Sequence, residues 1–260
     1  MPLIGSLKTL LLRGLLAGLI AGLLAATVGY FVGEPQVDAA IAIEEAAAAP
    51  AEHGHDAAQS QGHSHGDEEA LVSRSGQKAG QFLALGLAGM AFGALFASAV
   101  NVARRFTTLS GPHLSLTAAV LAWAAIVVVP FFKYPANPPA VGDPETINDR
   151  TWLWVAAVVL GLLAVSAAVA AYRALAASDT LRLIAGVGAL VVVTTVGYVL
   201  LPGVNEVADD FPATLLWNFR VASLAQTTTL WVSLGLAFAA LTEFASRRST
   251  PVVDKVPTAG

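Results

Sequence analysis

The chain has 260 residues, 56% of them apolar and 12% charged, with a formal net charge of −4 and a mean hydropathy of +0.68. A soluble domain carries about a quarter charged residues, so this composition belongs in a bilayer and leaves no room for a large soluble catalytic domain. Cysteine is absent, which excludes disulfides, thiolate metal ligands and thiol nucleophiles.

A spanning helix needs roughly 20 apolar residues, and the runs that satisfy this can be followed in chain order. Lys8 and Arg13 precede the first, Gly14 to Val32. Its length of about 19 residues exceeds the roughly 7 to 15 of a signal-peptide core, and Gly33-Glu34-Pro35 is a poor cleavage site, so an uncleaved helix is expected. Five more runs follow: Ala79 to Val102, Leu114 to Phe132, Thr151 to Tyr172, Leu183 to Leu201 and Val221 to Thr242. The expected fold is an all-α polytopic integral membrane protein. Six transmembrane helices lie at about 14–32, 79–102, 114–132, 151–172, 183–201 and 221–242, within one transmembrane domain over residues 1–246. Residues 247–260 are polar, with two prolines, and are expected to form a disordered cytoplasmic tail. None of the six runs contains Asp, Glu, Lys, Arg or His, so no mid-membrane proton relay is visible.

Between the runs, the connections differ in character. Gly14, Gly18 and Gly22 on the first helix and Gly89 and Gly93 on the second recur every fourth residue, the spacing that brings membrane helices into close contact. Ala103 to His113 is short, basic and turn-rich, so it joins antiparallel neighbours; His113 reads as an interfacial residue. Lys133 to Thr146 holds four prolines, with Pro130 just before it, and is expected to be stiff and extended. Leu201 to Pro212 repeats that theme in shorter form.

Orientation follows from the basic residues. With the amino terminus cytoplasmic, that side holds Lys8, Arg13, Arg104, Arg105, Arg173, Arg182, Arg247, Arg248 and Lys255 against the acids Asp179, Glu243 and Asp254. Both termini are then cytoplasmic. The opposite side carries the other fifteen carboxylates against Arg74, Lys78, Lys133, Arg150 and Arg220, an acidic face expected to concentrate cations.

The longest polar interval, residues 34–78, lies on that outward side and contains His53-Gly54-His55 and His63-Ser64-His65, four of the five histidines. In an extended segment a spacing of two puts both imidazoles of a pair on one side, and imidazole with carboxylate suits cobalt, nickel or zinc. Flanking glycines make ordering around a metal costly in chain entropy. The loop is therefore expected to capture and release a divalent ion rather than hold it.

A second candidate is the outer mouth, where Glu34, Asn137, Asp143, Glu145, Asn205 and Glu206 follow helix ends; charges kept close to a bilayer are candidate pathway residues. Glu34 and Glu206 are expected to receive the metal. Within the helices, Gln226 and Thr227 open a Gln-Thr-Thr-Thr run whose oxygens can replace part of an ion's water shell or simply bond neighbouring helices. There is no Gly-x-x-x-x-Gly-Lys-Ser/Thr loop, so ATP hydrolysis by that route is excluded.

Several segments together resemble one family. They are Leu12-Arg13-Gly14-Leu15-Leu16-Ala17-Gly18, Gly33-Glu34-Pro35-Gln36-Val37-Asp38, the histidine-rich loop, the run from Lys133-Tyr134-Pro135-Ala136-Asn137 to Ile147, Asn205-Glu206-Val207, and Leu215-Leu216-Trp217-Asn218-Phe219-Arg220. In combination they are similar to the CbtA-type predicted cobalt transporters of bacteria, from about Leu10 to Glu243. The resemblance implies a multi-pass protein of the bacterial inner membrane that takes up Co2+, supports cobalamin synthesis and works beside a small single-helix CbtB-type subunit.

The expected function is thus Co2+ import, with His53, His55, His63 and His65 recruiting the ion; no enzymatic activity, permanent cofactor or nucleic-acid partner is expected. Two alternatives stay open: a metal-binding scaffold or sensor subunit without transport, and a nickel or zinc transporter. The ligand types do not separate cobalt from nickel.

Overall fold

A computed structural model describes Leu3, residues 5–48 and residues 73–248. The described residues are mostly helical with no strand, and six helical stretches are long and apolar enough to cross a membrane. The helices are α1 (Leu7–Val28), α2 (Glu34–Ala48), α3 (Arg74–Ala103), α4 (Gly111–Trp123), α5 (Val129–Lys133), α6 (Ile147–Ala174), α7 (Asp179–Leu200) and α8 (Ala213–Arg248). α1 and α2 form one continuous stretch through a π turn at Gly29–Gly33, and α4 and α5 another through a π turn at Ala124–Val128.

Each π turn ends two residues before a proline. Pro35 and Pro130 have no N–H to donate, and each ring crowds the carbonyl four residues earlier. Widening the preceding turn relieves that crowding: Glu34 N–H reaches back to the Gly29 carbonyl and Val129 N–H to the Ala124 carbonyl. The helices therefore continue past their prolines. This corrects the expected loop over 34–78, since Glu34–Ala48 is helical and α3 starts at Arg74. The Ala- and Glu-rich sequence of α2 has high helix propensity, so here the end of the apolar run is not the end of the helix. For the same reason α8 begins eight residues before its apolar run and includes Arg247 and Arg248, which were expected in the tail.

Neighbouring helices follow the order α3, α1, α8, α4, α6, α7. The closest contact joins α1 and α3. A Cβ at Gly14 would overlap the Gly93 carbonyl, one at Gly18 the Gly89 carbonyl, and one at Gly22 the Leu85 carbonyl. The two backbones thus touch directly, as small-residue spacing permits. Phe92 and Phe96 of α3 then meet Trp231 and Phe238 of α8, with ring centroids 5.8 and 5.4 Å apart. The core cluster is drawn from α1, α3, α4 and α8. On the far side, Gly161 of α6 lies against the Ala125 carbonyl of the second π turn, and α7 packs outermost on α6 with Gly186 as its one buried residue.

The first two antiparallel spans bring the loop after α3 back to the chain start, where Arg104 donates to the carbonyls of Leu3 (3.1 Å) and Gly5 (3.0 Å). Ala48, Ser73, Lys133, Pro144, Leu200 and Ala213 all lie at the opposite end.

Gly18→Leu forces a side chain into the Gly89 backbone. Overpacking of this kind costs about 1–3 kcal/mol, so the variant should melt earlier than the parent in detergent, whereas Gly80→Leu, where a Cβ meets nothing within 4 Å, should not. Equal melting temperatures for the two variants would remove the close-contact account.

Candidate functional site

At the end holding Lys133 and Pro144, the two described connections, 134–146 and 201–212, do not simply extend into water. Lys133 Nζ donates to the Tyr198 carbonyl (2.9 Å) and Tyr134 Oη to the Pro202 carbonyl (2.8 Å). Burial pushes the Tyr134 phenol above its ordinary pKa, so it remains a donor. Arg220, near the start of α8, donates through Nη2 to Asn137 Oδ1 (2.9 Å) and through Nε to the Ala136 carbonyl (3.3 Å). The Lys133–Thr146 connection is thereby pinned to α7 and α8. It bends at Pro138–Val141, with Ala140 at φ 65° and Gly142 at φ 116°, so the expected stiff, extended course is replaced by a folded cap.

Glu206 anchors the other side of that cap. Its carboxylate accepts from Thr146 Oγ1 (2.6 Å) and Asp143 N–H (3.2 Å) and lies 3.2 Å from Arg150 Nε. Arg150 Nη2 also donates to the Asp143 carbonyl (3.1 Å). Position 142 favours glycine by its backbone, and a side chain there would also displace the Arg150 guanidinium. Its φ lies in the left-handed region, and a Cβ would overlap Arg150 Nη1.

These contacts border a half-open cavity of about 350 Å³, within the size range of small-ligand sites. Its polar wall is formed by Asn137, Arg150, Asn205, Glu206, Arg220 and Thr227, with Tyr134, Trp154, Ile126, Val127 and Phe131 among the remainder. The sequence-derived mouth is therefore divided. Asn137, Asn205, Glu206 and Thr227 share this cavity. Asp143 caps the following turn, accepting from Glu145 N–H (2.8 Å), and Glu145 is exposed in that turn.

Glu34 belongs to a separate cluster. Arg74 pairs with Glu34 and, at 2.9 Å, with Asp38; Lys78 pairs with Asp38 at 2.7 Å. Gln226 instead lies against Gly29 of the first π turn, opposite Gln81 of α3. The neighbouring hydroxyls bond within the protein: Thr228 accepts from Trp123 Nε1 (3.0 Å) and Thr227 donates to the Ser223 carbonyl (2.9 Å). His53, His55, His63 and His65 lie outside the described residues, as do residues 249–260 of the expected tail. His113 is exposed beside Ser110 Oγ (2.8 Å). Among the described residues no three His, Asp or Glu side chains gather as metal ligands.

Arg150 was counted in the sequence only as an outward positive charge; here it is a wall of the cavity. Gln81 was not singled out at all. Its Oε1 is buried without a hydrogen bond, a polar group whose partner could not be read from an apolar run.

Fold and site together define a multi-span membrane protein with a polar cavity at one end of its bundle. The family described as "Probable cobalt transporter subunit (CbtA)" matches residues 7–243, and the chain belongs to it. No curated protein and no solved structure matches the chain.

Glu206→Gln should lower thermal stability by about 1–3 kcal/mol, the cost of leaving a charged donor without its acceptor. In a cycle with Arg150→Met, the two losses should fail to add by about 0.5 kcal/mol or more. Additive losses would mean that the pair does not hold the cap.

Proposed function

We propose that this chain is the membrane subunit through which cobalt enters a bacterial cell, and that it lies in the cytoplasmic membrane with both termini inside. The observation carrying this reading is the family match together with the place of the cavity. The cavity lies at the same end of the bundle as Ala48 and Ser73, the residues that bracket the histidine-bearing segment. The excess of Lys and Arg at the other end favours that other end being cytoplasmic, so cavity and histidines face outward.

In this reading His53, His55, His63 and His65 collect Co2+, and the ion passes to the cavity. Glu34 and Glu206 both occur in ion pairs with arginine, so recruitment falls on the imidazoles, which suit cobalt, nickel and zinc. A small single-helix subunit of the CbtB type is the expected partner, in line with a family of transporter subunits. A second reading, a metal-binding subunit without transport of its own, is favoured by the absence of any ionisable side chain along the six apolar runs.

The test is Co2+ entry into oriented proteoliposomes, with Ni2+ and Zn2+ as competitors. Preferential cobalt entry is expected, and replacing the four histidines with Ala should slow it several-fold at limiting metal while leaving the rate at saturating metal near the parent's. Undiminished entry at limiting metal would remove the recruiting role. No entry by the chain alone, restored by a single-helix subunit, would make the partner part of the pathway.

A further inference from the structure

The cavity has a charge that a site for a naked cation should not have. Two guanidiniums, Arg150 and Arg220, face one carboxylate, Glu206. That carboxylate is already occupied by Thr146, Asp143 N–H and Arg150. Arg220 has neutral acceptors only, Asn137 Oδ1 and the Ala136 carbonyl, and no carboxylate within 4.0 Å among the described residues. Arg150 Nε is buried without a hydrogen bond of acceptable geometry, despite lying 3.2 Å from Glu206. A guanidinium kept in a partly buried wall without an anionic partner is costly. Its planar fork of donors matches a carboxylate more closely than any other common small ligand group except phosphate. A dication stripped of ligands would be repelled by the same wall.

We propose that the cavity binds a small polycarboxylate, and that cobalt enters it as a carboxylate complex rather than as the free ion. Arg220 carries a carboxylate of the ligand, Arg150 completes the positive wall, and the apolar face formed by Ile126, Val127 and Phe131 covers the carbon skeleton. Metal coordination positions not filled by the carboxylate ligand stay open to imidazole, so capture by histidines and entry as a complex are compatible. The inference rests on the cobalt-uptake reading for the identity of the metal only; the charge of the wall is independent of it.

The test uses the full-length protein in nanodiscs of zwitterionic lipid, with the four loop histidines replaced by Ala so that the loop retains no metal. Retention of doubly labelled cobalt and citrate, mixed in equal amounts, is measured against cobalt alone, citrate alone and inorganic phosphate. Cobalt and citrate are expected to be retained together, with cobalt alone retained far less. Arg220→Gln should weaken retention on the order of tenfold or more, the loss of a charge-assisted contact. Val127→Phe fills the apolar wall without touching a charge and should give the same loss, and melting of both variants beside the parent separates lost binding from misfolding.

Cobalt retained without citrate would overturn the proposal. So would citrate retained from the mixture while cobalt is left behind, displacement of citrate by an equal concentration of phosphate, or retention unchanged in both variants. Because retention is read without transport, absent uptake with intact binding would sink only the uptake reading, and intact uptake without citrate binding would sink only this one.

Discussion

The backbone contact between α1 and α3 is the constraint on which the remaining architecture depends. In a bilayer there is no hydrophobic force between helices, so association needs close packing or hydrogen bonds. Gly14, Gly18 and Gly22 against Gly93, Gly89 and Leu85 supply the first. Bringing two helices that close lets Phe92 and Phe96 reach beyond α1 to Trp231 and Phe238, which seats α8 against both. α8 then offers its other side to α4, and the π turn after α4 receives Gly161 of α6. The packed core is thus built outward from one glycine seam, leaving α7 to the lipid.

The two prolines at π turns extend the same economy. A proline inside a membrane helix would strand carbonyls in a medium without water, a cost that local readjustment must remove. Here the widened turn removes the clash, and in both cases the altered turn is used again. Gln81 and Gln226 gather at Gly29, and α6 docks at Ala125. Polar and backbone groups released by helix irregularity become the places where neighbours meet.

Much of this was legible in the sequence. Six uncharged runs gave the spans, since nothing else in water or lipid explains about 20 apolar residues repeated without charge, and the every-fourth-residue glycines gave the seam. Helix ends were less legible at Glu34 and Ala213, because apolarity marks the bilayer whereas propensity and capping mark the helix. The site was legible by residue type but not by grouping. Glu34 and Glu206 look alike in the chain, each following a helix end, yet one pairs across to Arg74 of the next helix and the other folds beneath the Lys133–Thr146 cap to Arg150. Pairings over 40 and 56 positions of sequence have no local signature.

The Lys133–Ile147 run has a physical reading that its residues alone do not disclose. Lys133 and Tyr134 tie to the carboxyl end of α7, Asn137 to Arg220, and Gly142 and Asp143 to the Arg150–Glu206 pair. Of these, Tyr134, Asn137, Arg150, Glu206 and Arg220 also line the cavity, so the contacts that fold the cap also place its charged wall. An end of the bundle that is acidic by composition holds a cavity whose fixed charges are predominantly positive, and these two facts act on different species. The acidic surroundings raise the local concentration of cations, while the arginines select among what arrives by the ligands a cation brings with it. Attraction and selection thus fall to different groups, and the carboxylates Glu34 and Glu206, candidate metal ligands in the sequence, are in the fold the ion-pair partners of Arg74 and Arg150.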